Sequence, residues 1–305
     1  RTPDARGMYE KLAGLPVEVV PYGEDPEWLA RQLAQASLLV DAIYGTGFHG
    51  ELDGRHRDIC RLINGVDVLT CALDIPSGVT ADTGWADPQA VQADFTVVFD
   101  SHKPATAMPR AARWCGQVLV REIGIPEEAH RGLESGYRLT DRAAVFSVLK
   151  KRVRESHKGS YGKLLVVAGS QRYMGAAMLA TLAAMRTGAG YVTLASTKEV
   201  CRTVLPSLPE AVMLPLRQNP DGSISADSRE EILQAAERST AILVGNGMGQ
   251  GDDVCRIVYE LVTHVRVPLV IDADGINALA RNIDILKRGN CPVVLTPHRM
   301  ELSRL

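Results

Sequence analysis

Two carboxylates stand where a short apolar run breaks into a glycine-bearing turn. Asp41 follows Leu38-Leu39-Val40 and leads through Tyr44 into Gly45, Gly47 and Gly50, while Asp74 follows Leu69-Thr70-Cys71-Ala72-Leu73 and leads into Ile75-Pro76-Ser77-Gly78. A carboxylate so placed can take or give a proton, and oxygens from Asp41 and Ser77 together suit a hard cation. The nearby glycines let backbone amides approach phosphate oxygens with no Cβ in the way. Each feature also has a plainer reading: the glycines as a tight turn, and Asp74 as a turn residue capping the amides of Ser77 and Gly78.

A second set occupies the other half of the chain. Ile242-Leu243-Val244 enters Gly245-Asn246-Gly247-Met248-Gly249, Val270-Ile271 enters Asp272-Ala273-Asp274, and Val293-Val294-Leu295 enters Thr296-Pro297-His298. The glycine turn suits an anionic or nucleotide-like ligand but lacks a Walker lysine. Upstream, His157-Lys158-Gly159-Ser160-Tyr161-Gly162-Lys163 offers two cations to phosphates, and Gly175-Ala176-Ala177 opens a helix lean enough for close approach by a flat ligand. A solvated basic loop, helix packing and an ordinary loop histidine are the respective alternatives. Successive strand ends carrying Gly, Asp or His build one crevice only if the strands are parallel neighbours.

Such neighbours are what the pattern predicts. Short β-rich runs alternate with longer amphipathic stretches, so the fold class is α/β, with two three-layer parallel-sheet domains. Strands are expected over 37–43, 66–73, 95–99 and 117–120, then over 164–168, 191–195, 241–245, 267–271 and 293–296. Helices are expected over 53–63, over 140–153 with Thr140 as its cap, over 175–186 and over 252–265. The charged, glycine-containing stretch around 127–138 places the domain boundary between residues 134 and 135. Of 305 residues 46% are hydrophobic and 23% charged, enough apolar mass for two cores. Lys plus Arg (34) nearly balances Asp plus Glu (36), which argues against nucleic acid or an anionic membrane as partner and for a small molecule. Six scattered cysteines without a CxxC pair read as buried thiols, and no apolar run reaches the roughly 20 residues of a membrane span, so a cytoplasmic enzyme is expected.

The strings Asp41-Ala-Ile-Tyr-Gly-Thr-Gly-Phe and Leu73-Asp-Ile-Pro-Ser-Gly, in that order and separation, resemble the NAD(P)H-hydrate epimerase domain. The resemblance implies a Rossmann-like fold that interconverts the two C6 epimers of hydrated NADH or NADPH. It implies Asp74 as catalytic and substrate-contacting carboxylate, and Gly45, Thr46, Gly47, Phe48, His49, Gly50 and Glu51 as the loop over the substrate's phosphates. Asp41 and Ser77 would be potassium (K+) ligands. His56 stands where relatives can carry a tyrosine, and the family's upstream Asn-Gly-Gly-Asp-Gly motif is absent from this chain.

The strings His157-Lys-Gly-Ser-Tyr-Gly-Lys, Arg186-Thr-Gly-Ala-Gly, Gly245-Asn-Gly-Met-Gly, Asp272-Ala-Asp and Leu295-Thr-Pro-His, with Glu301, resemble the ADP/ATP-dependent NAD(P)H-hydrate dehydratase domain of the ribokinase-like fold. This implies phosphoryl transfer from ADP or ATP, with Mg2+, to the hydrate's hydroxyl, followed by loss of phosphate. Ala176, Gly247 and His298 would contact the hydrated nucleotide, and Asp272 or Asp274 would support the phosphate region or the loop geometry. Asn246 replaces the family's usual proline, and the downstream Lys-Gly and Gly-Thr-Gly-Asp motifs do not occur. Both ends are therefore expected to be cuts through domains of a lyase and isomerase, a homo-oligomer in its full form. The alternatives are a ribokinase-like small-molecule kinase and a non-catalytic nucleotide-binding fragment.

Overall fold

A computed structural model describes residues 3–22, 25–133, 136–149 and 151–305. The chain divides into two compact units, Arg1–Leu149 and Lys150–Leu305. The expected boundary at residues 134 and 135 lies outside the described residues.

In the first unit β1 (Leu39–Asp41), β2 (Thr70–Leu73), β3 (Phe95–Phe99) and β4 (Gln117–Arg121) form a sheet in sequential order, every pair parallel. β1 is shorter than the apolar run 37–43 predicts because the Asp41 carboxylate turns the chain back, accepting the Ile43 amide at 3.2 Å. The expected helix at 53–63 runs Gly54–Asn64, with Asp53 outside it as the cap that accepts the His56 amide. Cys60 and Ile63 are its buried stripe, packed with Leu39, Phe48, Leu52 and Val91. A second core gathers Ile75, Val79, Ala90 and Trp114. The expected helix at 140–153 is Arg142–Val148, capped by Asp141 rather than Thr140. None of its residues is buried, Phe146 being 60% exposed and Val148 78%, so no packed face supports a longer helix.

The second unit has six parallel strands: β5 (Lys163–Val167), β6 (Tyr191–Thr197), β7 (Val212–Leu216), β8 (Ala241–Val244), β9 (Leu269–Ile271) and β10 (Val293–Leu295), in the order β10-β9-β8-β5-β6-β7. Alternation along β5 shows why helices cover both faces. Leu165 and Val167 pack with Ile232, Ile257 and Leu261 of helices Arg229–Glu237 and Asp252–His264, while Val166 and Ala168 pack with Ala177 and Val200 of helices Met174–Arg186 and Lys198–Val204. β7 has no counterpart among the expected strands, since its Pro215 argues against a ladder. It is tolerated because β7 is an edge strand with one neighbour.

All six cysteines are free thiols, five of them buried. Burial pushes the Cys60 thiol up to about 12 and the Cys115 thiol to about 11, so both behave as small apolar groups. No helix among the described residues is long and apolar enough to cross a membrane.

Candidate functional site

The parallel pairing of β1 with β2 puts Asp41 and Asp74 at the same, carboxyl, edge of the first sheet. Asp41 is 1% exposed. Its Oδ2 accepts the Ser77 amide at 2.8 Å and its Oδ1 the Ser77 hydroxyl at 2.6 Å, while Ser77 Oγ accepts the Tyr44 amide at 2.9 Å. Burial pushes the Asp41 carboxyl above its ordinary range, opposed by the bonds from Ser77 and Ile43. The Asp41 carboxylate and the Ser77 hydroxyl offer oxygen ligands of the kind that a hard cation takes.

Asp74 takes a left-handed backbone conformation, φ 67°, sparsely populated for a non-glycine residue. Its amide bonds the Val97 carbonyl at 2.7 Å, which holds the turn against β3. Oδ1 accepts from Lys103 Nζ at 2.7 Å and from the Phe99 amide at 3.2 Å. Oδ2 points to the glycine loop, 3.7 Å from where a Cβ on Gly45 would lie. Lys103 is a site residue that residue patterns missed: it follows β3, far from both acidic motifs in sequence, and only the β2–β3 pairing brings it to Asp74.

The loop from Gly45 to Glu51 is divided in two. Phe48 is buried, with its ring centroid 5.2 Å from that of Tyr44, whereas Thr46, His49, Gly50 and Glu51 are exposed. The loop's far end is tied down by Asp87, whose carboxylate accepts the Leu52 amide at 3.1 Å and Arg57 at 2.8 Å. His56 bonds Tyr44 and Asp53 and so belongs to the helix cap.

In the second sheet the chain enters at the middle on β5, adds β6 and β7 on one side, then returns to place β8, β9 and β10 on the other. The order reverses between β5 and β8, and a crevice at their carboxyl ends follows from that reversal. There the Gly169 amide bonds the Asn246 carbonyl at 2.8 Å and Ser170 Oγ donates to the Gly247 carbonyl at 2.8 Å. Gly247, at φ 68°, lies so close to the start of helix Met174–Arg186 that a Cβ there would come within 2.7 Å of Ala176 Cβ and Tyr173 Cβ. Ala176 and Gly247 are thus together.

Asp272 clasps three strand ends, with Oδ1 accepting from Thr296 Oγ1 and Oδ2 from Asn246 Nδ2, each at 2.7 Å. Asp274 Oδ2 accepts the Gly249 amide at 2.8 Å. Both acids therefore brace the glycine turn. His298 lies two residues beyond Thr296 on the same edge, 63% exposed by its side chain, with both ring nitrogens engaged: Nδ1 accepts the Met300 and Glu301 amides and Nε2 meets Glu301 Oε1 at 3.1 Å. The loop His157–Gly162 precedes β5, so it lies at the amino edge, about 16 Å along the strand from the glycine turn. Lys158 stacks there on the Tyr191 ring, and the two lysines share no crevice with Gly247.

Fold and sites together define a chain of two successive parallel α/β units, each with acidic and glycine-bearing strand ends on one edge. Residues 164–305 match a family model described as NAD(P)H-hydrate dehydratase, and residues 1–105 match one described as YjeF-related protein N-terminus. A relative named bifunctional NAD(P)H-hydrate repair enzyme Nnr from Thermofilum pendens is 38% identical over 97% of this chain and 56% of its own length. Those from Moorella thermoacetica and Archaeoglobus fulgidus are 36% and 33% identical over 90% and 97% of this chain and 52% and 57% of theirs. The chain is thus similar, over nearly its whole length, to bifunctional NAD(P)H-hydrate repair enzymes, and it spans a little over half the length of the relatives it matches. The solved ADP/ATP-dependent NAD(P)H-hydrate dehydratase from Bacillus subtilis, co-crystallized with ATP/Mg2+, is 34% identical over 53% of this chain and 53% of its own, with a TM-score of 0.42.

Proposed function

We propose that the protein of which this chain is part restores hydrated NADH and NADPH, the first unit interconverting the R and S epimers and the second serving the ADP- or ATP-dependent dehydration of the S epimer. The observation that carries the first half is the placement of Asp74 Oδ2 against the Gly45 turn on the edge that also holds Asp41 and Ser77. The exposed loop residues Thr46, His49, Gly50 and Glu51 face the substrate's phosphates, with Gly45 and Gly47 beside them and Phe48 as the buried anchor. Asp74 Oδ2 accepts the proton of the C6 hydroxyl, and the pair of the C6–N bond passes to the ring nitrogen, whose charge spreads into the carboxamide. Closure on the opposite face of the resulting aldehyde returns that pair to C6 and the proton to oxygen.

Asp41 and Ser77 would hold K+, which would supply fixed positive charge beside the substrate. In the second unit Ala176 and Gly247 form the floor for the hydrated nucleotide, Asp272 and Asp274 keep the turn in shape, and His298 borders the crevice through its ring edge. Phosphorylation turns the hydroxyl into a good leaving group, with Mg2+ accompanying the donor. Free thiols throughout suit a reducing cytoplasm.

The test is an assay of the full-length protein on a mixed-epimer preparation of hydrated NADPH, read by recovery of dihydronicotinamide absorbance. Complete conversion with ADP or ATP and none without either is expected. Equal turnover with and without nucleotide refutes the dehydratase half, and conversion that stops when the S epimer is spent refutes the epimerase half.

A further inference from the structure

We infer that Lys103 is a positioning residue for the epimerisation: it fixes one oxygen of Asp74 so that the other is the reacting atom. The inference rests on the epimerase reading of the first unit. The two Asp74 oxygens have different surroundings. Oδ1 takes the Lys103 ammonium at 2.7 Å and the Phe99 amide at 3.2 Å, whereas Oδ2 faces the Gly45 turn and has no hydrogen-bond partner among the described residues. Lys103 is held in turn: its ammonium also donates to the Phe99 carbonyl, and its amide donates to Thr106 Oγ1 at 3.1 Å at the start of the turn Pro104–Ala107.

The pair is largely enclosed, with 19% of the Lys103 side chain and 14% of the Asp74 side chain exposed. An ion pair so shielded keeps its geometry better than one on the surface. The left-handed backbone at Asp74 is the other half of the arrangement, since it brings the carboxylate round to the lysine. Removing the ammonium frees the carboxylate to rotate, and a misplacement near 1 Å at a reacting atom costs about 100-fold in rate.

The experiment follows relaxation of the purified S epimer toward the R/S equilibrium by NMR, with the full-length protein and its Lys103→Met, Lys103→Gln and Lys103→Arg variants. The neutral variants are expected to lose about 100-fold in kcat with KM changed less than about threefold, because the ammonium touches Asp74 and not the substrate. Arginine, which keeps the charge and a donor, is expected to recover activity to within about tenfold of wild type. In the Asp74→Asn background, Lys103→Gln is expected to cost nothing further, as coupling through one carboxylate requires.

Neutral variants within threefold of wild type in kcat overturn the inference, as does a double variant whose losses multiply. Should Lys103→Met not fold, as judged by circular dichroism, the Gln and Arg variants decide the matter alone, and an Arg variant as slow as the Gln variant overturns it. A wild-type protein that does not epimerise at all refutes the epimerase reading and the inference with it, which separates that failure from failure of the lysine's role.

Discussion

Asp87 shows how a buried acid far from any motif controls a site loop. Its carboxylate is fully enclosed, and burial alone would raise its carboxyl; the Arg57 guanidinium together with the Gln89 and Leu52 amides outweighs that and holds it below the ordinary range. A folded carboxyl below its unfolded value of about 4 binds fewer protons than the unfolded chain does near that pH, so folding is favoured as pH rises. The stabilisation is complete above about pH 5 and is lost as pH falls through the folded value. Asp87→Asn is therefore expected to lower the thermal midpoint of the first unit by on the order of 5 °C at pH 7, with a difference from wild type that shrinks toward pH 3. Calorimetry across that range checks it, and a constant difference would remove Asp87 as its source.

The turns between elements carry the strain. Gly247→Ala puts a methyl group into Ala176 and Tyr173 at a left-handed position, and a loss of about 2 kcal/mol of stability in the second unit is expected, with weakened binding of NADPH measured by titration calorimetry. Ala273 makes the opposite case. It stands at φ 51° just after β9, where glycine would be at ease, so Ala273→Gly is expected to stabilise by about 1 kcal/mol in denaturant unfolding. Asn246 belongs to the same turn: its Nδ2 donates to Asp272, while its Oδ1 is buried with no hydrogen-bond partner among the described residues. Asn246→Asp would set two carboxylates at that distance, and a clear drop in thermal stability above pH 5 is expected.

Over the whole molecule the two proposed activities draw on separate sets of strand ends. Asp74→Asn in the full-length protein is accordingly expected to slow epimerisation at least about 100-fold while leaving dehydration of the S epimer within twofold, measured on separated epimers. Equal loss of both would indicate general unfolding. The parallel α/β class, all nine expected strands and the helices expected at 53–63, 175–186 and 252–265 were readable from periodicity, since each buries a regular stripe or a short β-rich run. β7 was not, because its proline obeys a rule about sheet edges, and which strand lies at an edge is a property of the assembled sheet. The early stop of Arg142–Val148 was not, because helix propensity says nothing about whether a face finds something to cover it.

Residue order by itself determined which types could do chemistry here: Asp41 with Ser77, Asp74, and the Gly245–Gly249 turn with Asp272 and Asp274, each at the end of a recognisable apolar run. It also carried the resemblance to NAD(P)H-hydrate repair enzymes, because those strings are long. Only tertiary structure decided what each group is free to do. Both oxygens of Asp272 are spent on Asn246 and Thr296, the nitrogens of His298 are spent on its own helix, and the lysines of the His157 loop lie at the opposite edge from the glycines. Lys103 reaches Asp74 through strand pairing across 29 residues. Hydrogen-bond partners and sheet edges are set by contacts distant in sequence, and no local pattern encodes them.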